Sequence, residues 1–293
     1  MRFEYFDPHD IGEATSFLAK AGESARPLAG GTDLIPRIRD RLDTPRYVVN
    51  IKGLSELNGM GREGDGWRIG ALTTIRMLET SSAIRLAYPI LNQAAAELGS
   101  VQVRNIATVG GNLCHAVPSA DMAPPLLCLD AKVSLIGHNG KRSLPLQDFF
   151  LEPRRTAIQP GELLSEISLP ILRGKWGGLY LKLGHRKAMD LAVVGVAIWV
   201  ALDSLERILD CRIALGSVAP TPVRARRAEE LLKGEKVTEA LLDKAAETAM
   251  DECQPIDDIR ATARYRRHMI RMLTRRGLRQ SLTLARRTTT YEA

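Results

Sequence analysis

Hydrophobic and polar residues along the first 170 positions follow helix-like and strand-like patterns in turn. Capping residues mark the helices: Asp10 opens the first and Gly22 closes it, because a short polar side chain accepts hydrogen bonds from free amides and glycine adopts the backbone that ends a helix. β-Branched and aromatic residues bunched between turn residues mark the strands. The predicted elements are helices over 10–22 and 90–98 and strands over 47–51, 67–72 and 131–136.

The pattern changes after residue 170. The segment Pro170 to Gly178 is rich in glycine and basic residues and predicts a linker. Three apolar runs follow it, and residues from about 224 to 282 predict two or three helices. Strands first and helices after indicate an α+β domain. The predicted strands are 179–183, 191–202 and 207–215.

The length of 293 residues suits one large domain or two ordinary ones. The sequence has no apolar run of about 18 residues and opens without the apolar segment of a secretory signal, so we expect a cytoplasmic protein without a membrane span. Four cysteines lack the spacing of a zinc or iron–sulfur site and are predicted to be buried free thiols. They are Cys114, Cys128, Cys211 and Cys253.

The net charge of +7 comes with a concentration of arginines near the carboxyl end. Residues 258–280 predict an amphipathic helix whose arginines recur every three or four residues, which indicates a solvated or partner-facing stripe. Tyr265 is the only aromatic residue there, so nucleic-acid binding is not expected. The stripe consists of Arg260, Arg264, Arg267, Arg271 and Arg275.

Two glycine-rich stretches lie about 80 residues apart. Each pairs two glycines with a hydroxyl and a short polar side chain, so backbone N–H groups can converge on an anion. A Gly-Gly pair alone is common in ordinary turns, and Thr32 and Thr108 are equally suited to capping turns. The stretches are Ala29-Gly30-Gly31-Thr32-Asp33-Leu34 and Thr108-Val109-Gly110-Gly111-Asn112-Leu113.

The text around these stretches resembles a known family. Residues 102–121 are similar to the second flavin-binding stretch of the FAD subunits of molybdenum hydroxylases, often called the medium subunits of xanthine dehydrogenase and carbon monoxide dehydrogenase. The resemblance extends from Met1 to about Leu282. Other matching segments are Phe3-Glu4-Tyr5, Pro27-Leu28-Ala29-Gly30-Gly31-Thr32-Asp33-Leu34, Tyr47-Val48-Val49-Asn50-Ile51 and Trp67-Arg68-Ile69-Gly70-Ala71-Leu72-Thr73-Thr74.

This resemblance implies an α+β fold in two domains. Residues 1–172 would form a two-subdomain FAD-binding domain of the vanillyl-alcohol-oxidase (PCMH) type, with subdomains at about 1–55 and 56–172. Residues 178–282 would form an α+β carboxyl-terminal domain of three antiparallel strands and helices. A basic tail, 283–293, lies outside the resemblance.

The resemblance also implies a set of FAD-binding residues. Backbone amides of both glycine stretches would hold the pyrophosphate, with hydrogen bonds from the hydroxyls of Thr32 and Thr108. Asp121 would contact a sugar or flavin polar group, although a carboxylate at a helix N-terminus explains it too. The implied set is Leu28, Ala29, Gly30, Gly31, Thr32, Asp33, Leu34, Thr108, Val109, Gly110, Gly111, Asn112, Asp121, Leu164 and Lys182.

Leu164 and Lys182 match positions beside the isoalloxazine ring in the family. A lysine there would favour the anionic reduced flavin; without the resemblance, Lys182 would be expected at the surface. The loop 184–192 resembles one that approaches the flavin from the carboxyl-terminal domain, with hypothetical roles for Arg186, Lys187 and Asp190. Leu98 stands where animal relatives place an aromatic ring, so use of NAD as acceptor is left open. His115, beside Cys114, is expected to pack or hydrogen-bond rather than bind a metal.

The resemblance therefore implies an electron-transfer subunit with no catalytic or metal-binding residues of its own. A large molybdopterin-binding subunit would carry out substrate chemistry, and a small subunit with [2Fe–2S] clusters would pass electrons to FAD and on to NAD or another soluble acceptor. A dimer of heterotrimers is the family's usual assembly. The alternatives are a free-standing, diaphorase-like flavoprotein and a scaffold that has lost its cofactor.

Overall fold

A three-stranded parallel sheet organises the amino-terminal part of the computed structural model, which describes residues 2–288. The strand order is β1-β3-β2, with helices in the connections that parallel strands require. As predicted, Asp10 caps the first helix by accepting the amide of Glu13, and Gly22 ends it at a φ of 54°. The elements are β1 (Glu4–Phe6), α1 (Ile11–Ala21), β2 (Ala25–Leu28), α2 (Leu34–Arg39) and β3 (Tyr47–Asn50).

A five-stranded antiparallel sheet of order β4-β5-β10-β6-β7 follows, packed against a group of short helices. The five elements predicted in the first 170 residues lie within two residues of the observed ones. The elements are β4 (Met60–Glu63), β5 (Gly66–Gly70), α3 (Ile75–Thr80), α4 (Ser82–Ala87), α5 (Pro89–Glu97), α6 (Val101–Ile106), α7 (Val109–His115), α8 (Ala123–Cys128), β6 (Lys132–Gly137), β7 (Gly140–Pro145), β8 (Phe150–Glu152), β9 (Arg155–Thr156) and β10 (Leu163–Pro170).

The carboxyl-terminal part is an antiparallel sheet of order β11-β12-β13-β14 followed by helices. The three predicted strands are confirmed, and a fourth strand of two residues extends the sheet beyond the prediction. The elements are β11 (Lys175–Leu183), β12 (Val194–Leu202), β13 (Ile208–Gly216), β14 (Val223–Arg224), α9 (Arg226–Leu232), α10 (Glu239–Asp251) and α11 (Ala263–Arg287). The first residues of the predicted basic tail thus belong to α11, and residues 289–293 lie outside the described part.

The predicted linker is mostly strand. β10 runs through Pro170 and β11 begins at Lys175, which leaves only residues 171–174 between them. A Cβ atom on Gly177 would overlap the backbone of Ser281 and Ala285. The glycine that suggested a flexible connection therefore allows α11 to pack closely on β11.

Strand β12 is buried on both faces and joins two cores. Every residue from Val194 to Leu202 is buried. Because side chains alternate across a strand, Ala197 and Trp199 join the core of the preceding part while Val196 and Ile198 join the core beneath the carboxyl-terminal helices. The two parts of the chain are therefore packed together through this sheet.

The arginine stripe faces a neighbouring helix of the same chain, so the predicted solvated or partner-facing role is wrong for most of it. Helix α11 begins only at Ala263, after Thr262 caps it. Its arginines then pair with acidic residues of α10, and each four-residue step along one helix matches a four-residue step along the other. The pairs are Arg267–Asp251 at 3.8 Å, Arg271–Glu247 at 2.8 Å, Arg275–Asp243 at 2.5 Å, and Arg279–Glu239.

All four cysteines are free thiols, as predicted; three are buried and Cys114 is half-buried. Burial raises the pKa of the Cys114 thiol to about 12. Between residues 2 and 288, no helix is long and apolar enough to cross a membrane. The same residues contain no group of three or more histidine, cysteine or acidic side chains placed to hold a metal ion.

Candidate functional site

A cleft of about 960 Å³ opens between the two glycine stretches. Its volume lies at the upper end of the usual range for ligand pockets. Four groups of residues line it: the segment after β2, the start and end of α7, the hairpin β8–β9, and the loop before β12. The lining includes Ala29, Gly30, Gly31, Thr32, Asp33, Leu34, Thr108, Gly111, Asn112, His115, Asp121, Arg154, Thr156, Met189, Asp190 and Leu191.

The first glycine stretch offers free hydrogen-bond donors to this cleft. Among residues 2–288, no acceptor takes a hydrogen bond from the backbone N–H groups of Ala29 to Asp33. Gly31 has a φ of 72°, a left-handed conformation that glycine adopts without strain. Successive free amides around such a residue form a concave donor group suited to an anion.

The second stretch is the start of a helix, so the expected turn is wrong here. Thr108 caps α7, with its hydroxyl accepting from the amide of Gly111 at 3.0 Å and its carbonyl from Asn112 at 3.0 Å. The amides of Val109 and Gly110 donate to the carbonyls of Thr73 and Ala71. Four of the five amides expected to hold pyrophosphate are thus already engaged inside the protein. Side chains, not this row of amides, are what α7 offers to the cleft.

Close backbone packing joins the two stretches. A Cβ atom on Gly30 would overlap the carbonyl oxygen of Ile106 and lie 2.7 Å from its carbonyl carbon. A Cβ atom on Gly110 would lie 2.7 Å from the Cβ of Ala71, on the side away from the cleft. Both glycines are therefore explained by packing that fixes the walls of the cleft.

His115 adds a polar contact between these walls. Its Nε2 lies 3.5 Å from Oδ1 of Asp33. Burial lowers the pKa of His115 below its usual value of 6.5; the Asp33 carboxylate opposes this shift, and the charges of Arg154 and Arg37 add to it. His115 thus hydrogen-bonds within the protein, in line with its predicted role.

Comparison with known proteins follows from this geometry. Residues 1–172 match the family described as FAD binding domain in molybdopterin dehydrogenase, and residues 180–281 match the CO dehydrogenase flavoprotein C-terminal domain. The chain belongs to the FAD-binding medium subunits of the molybdenum hydroxylases. It is an oxidoreductase subunit of the type found in carbon monoxide and xanthine dehydrogenases.

Individual relatives are similar over almost the full length. The carbon monoxide dehydrogenase medium chain of Hydrogenophaga pseudoflava is 35% identical over 94% of this chain and 96% of its own. The xanthine dehydrogenase FAD-binding subunit of Escherichia coli O157:H7 is 31% identical over 94% of each chain. A solved structure of carbon monoxide dehydrogenase from Hydrogenophaga pseudoflava superimposes with a TM-score of 0.94 at 34% identity, covering 97% of this chain and 98% of that one.

In this medium subunit Asp121 does not cap a helix. The residue before α8 is Met122, and no side chain caps that helix. Asp121 instead accepts hydrogen bonds from the hydroxyl of Tyr180 at 2.9 Å and from Nζ of Lys182 at 2.8 Å. Burial raises the pKa of the Asp121 carboxyl, and the nearby Lys182 opposes that rise.

Lys182 is buried, not at the surface. Its side chain is only 5% exposed, and Nζ also donates to the carbonyl of Glu97 at 2.9 Å. Asp121 lines the cleft, whereas Lys182 stands behind it. The pair links strand β11 to the wall of the cleft, and the lysine charge is held in place by Asp121.

The remaining predicted residues divide between the core and the cleft. Leu28, Val109 and Leu164 are buried and do not line the cleft. Leu98 does line it. Leu28 packs with Ile38 and Val48, and the other two belong to the large core.

The loop before β12 reaches the cleft through Met189, Asp190 and Leu191. The Asp190 carboxylate accepts the backbone amides of His185 and Arg186, and these bonds lower its pKa. The amide of Met189 donates to the carbonyl of Gly99 at 3.0 Å, which docks the loop on the cleft wall. Lys187 is exposed and does not line the cleft.

Sequence reasoning missed the hairpin β8–β9. It places Arg154, Arg155 and Thr156 along the cleft. No motif or hydrophobic pattern marks these residues, because the turn is built from polar side chains and contacts α7 across a long sequence distance.

Proposed function

We propose that this medium subunit binds FAD in the cleft and relays electrons from [2Fe–2S] clusters of a partner subunit to an acceptor. The observation that carries the proposal is the row of free amides from Ala29 to Asp33 on the wall of a cleft large enough for much of a dinucleotide. Bound FAD would supply the redox chemistry, and the protein would supply binding, orientation and electrostatics.

The residues present fit this cofactor. The amides of the first stretch would hold its pyrophosphate, since converging N–H groups bind anions without a lysine. Thr32 and the side chains of Thr108 and Asn112 would add hydrogen bonds. The hydroxyl hydrogen of Thr108 is available, because its oxygen serves as the acceptor of the helix cap.

The buried pair Asp121–Lys182 would tune the flavin. A fixed positive charge behind the cleft wall favours a negatively charged reduced cofactor, and Asp121 limits that effect by pairing with it. Leu164, Val109 and Gly110 would act by packing the wall, and Leu28 and Leu34 by supporting the first stretch.

The partners follow from the family. We infer a large molybdopterin-binding subunit and a small [2Fe–2S] subunit, assembled as a dimer of heterotrimers in the cytoplasm, with NAD or another soluble carrier as acceptor. Relatives are named as medium chains or subunits, which supports this assembly over a free-standing flavoprotein. The free amides of the first stretch support a cofactor-binding protein over a scaffold.

An absorption spectrum of the purified chain tests the proposal, followed by heat release and identification of any cofactor. The expected result is an oxidised-flavin spectrum, either as purified or after adding FAD, with FAD and not FMN released. A colourless chain that takes up no FAD, alone or with the two partner subunits, would contradict the proposal.

A further inference from the structure

Four arginines line the cleft, and two of them are already paired. Arg26 lies 3.5 Å and Arg37 lies 3.2 Å from the two carboxylate oxygens of Asp43. One carboxylate thus holds both side chains beside the start of the first stretch. The four arginines are Arg26, Arg37, Arg154 and Arg155.

The other two arginines are neighbours in the hairpin β8–β9 and differ in their contacts. Arg155 lies 3.6 Å from the carboxylate of Glu152. The guanidinium of Arg154 makes no hydrogen bond or ion pair with any part of the chain between residues 2 and 288. Arg154 is therefore the cleft-lining arginine whose charge is not engaged by the protein.

The backbone at Arg154 is held in an unfavourable conformation. Its φ is 65°, in the left-handed region that side chains disfavour. Its amide donates at 2.8 Å to the carbonyl of Ala116, which ends α7 at a φ of 47°. Two left-handed residues other than glycine thus meet at the cleft, and strain of this kind concentrates at ligand sites.

This meeting point lies close to the first glycine stretch. Ala116 follows His115, which contacts Asp33 at 3.5 Å. The charges of Arg154 and Arg37 both reach His115, since both lower its pKa. Arg154 therefore lies near the end of the cleft that carries the free amides.

We propose that Arg154 binds the diphosphate of the dinucleotide, together with the amides of Ala29 to Asp33. This inference rests on the proposed function. Amides supply only partial charges, whereas a diphosphate carries full negative charges that the paired arginines of the cleft do not neutralise. A guanidinium provides parallel N–H groups that fit two phosphate oxygens.

The test compares Arg154→Asn with Arg155→Gln in the full chain freed of flavin. Asparagine tolerates the left-handed backbone, so the first variant removes the charge with little change in strain. The second removes an equal charge from the adjacent residue. FAD and riboflavin, which has no phosphate, are titrated into each protein and into the wild type.

Arg154→Asn is expected to raise the Kd for FAD about 10-fold or more, the usual loss for a charge-assisted hydrogen bond. Arg155→Gln should change it less than about 2-fold, and neither variant should change the Kd for riboflavin. Arg154→Lys should restore part of the FAD affinity, because it restores the charge.

Three results would overturn the inference: an unchanged FAD affinity in Arg154→Asn, an equal loss in both variants, or an equal loss for riboflavin. A wild-type chain that binds no FAD would overturn the proposed function itself. The two failures are thus distinguishable.

Discussion

Gly30 lies directly against the backbone of Ile106, with no side chain between them. The first glycine stretch is therefore seated on the residues that lead into the second. This contact fixes the spacing of the two walls of the cleft, and only glycine allows it, because any Cβ at position 30 would overlap the Ile106 carbonyl.

Replacing Gly30 is expected to disturb both folding and flavin binding. Gly30→Ala should lower the free energy of unfolding by about 1–3 kcal/mol, as overpacking does, and reduce the flavin bound per chain. Gly53→Ala is the matched control, since a Cβ there meets nothing within 4 Å. Urea unfolding and flavin content measure both effects. Normal flavin content in Gly30→Ala would show that the contact does not shape the cleft.

The ion pair of Arg104 with Glu79 is expected to hold α6 in position. Arg104 is 8% exposed, makes bonds of 2.7 and 3.0 Å to the Glu79 carboxylate, and donates to the carbonyl of Leu98 at 2.9 Å. Arg104→Ala should cost about 3 kcal/mol because it leaves the partner charge unpaired in a partly buried site. Arg76→Ala removes a more exposed partner of the same carboxylate and should cost less than about 1 kcal/mol. Equal costs in urea unfolding would contradict this account.

Stability should fall in mild acid because of His115. Its pKa is lower in the folded protein than the usual 6.5, so the unfolded chain binds the proton more readily. The free energy of unfolding should therefore decrease as the pH falls below about 6.5 and level off below the folded-state pKa. His115→Gln should reduce this decrease in urea unfolding between about pH 7.5 and pH 5.5.

His138→Gln, at an exposed histidine, controls for the loss of a histidine elsewhere. An identical pH dependence in wild type and His115→Gln would show that burial does not govern the titration of His115.

The charge ladder between α10 and α11 should respond to a swap. Arg271→Glu and Glu247→Arg are each expected to destabilise the chain by placing like charges together, and the double variant should recover part of that loss. The coupling should be about 0.2–1 kcal/mol, because both side chains are substantially exposed. Strict additivity of the two single changes would mean that the 2.8 Å pair contributes nothing.

Local signals in the sequence predicted much of the fold. The cap at Asp10, the glycine at position 22 and the long apolar runs gave helices and strands close to those observed. The two glycine stretches, however, look alike in sequence and differ in structure. The amides of the second are taken up by Thr73 and Ala71, more than 30 residues away, and no local pattern reveals those partners.

Other errors have a similar origin. Lys182 is charged and was expected at the surface, but Asp121 compensates it across about 60 residues of sequence. The arginine stripe could have been interpreted correctly from sequence, because acidic residues on α10 repeat with the same four-residue step. Arg154 could not, since its importance lies in having no partner within the fold.

Hydrogen exchange of the backbone amides, with and without FAD, tests the central claim most directly. The account predicts that FAD slows exchange at residues 29–33, whose amides are free in the protein, while residues 109–112 change little because their amides already donate internally. Riboflavin, which lacks the diphosphate, should protect residues 29–33 much less. Bound FAD that leaves exchange at residues 29–33 unchanged would contradict the account.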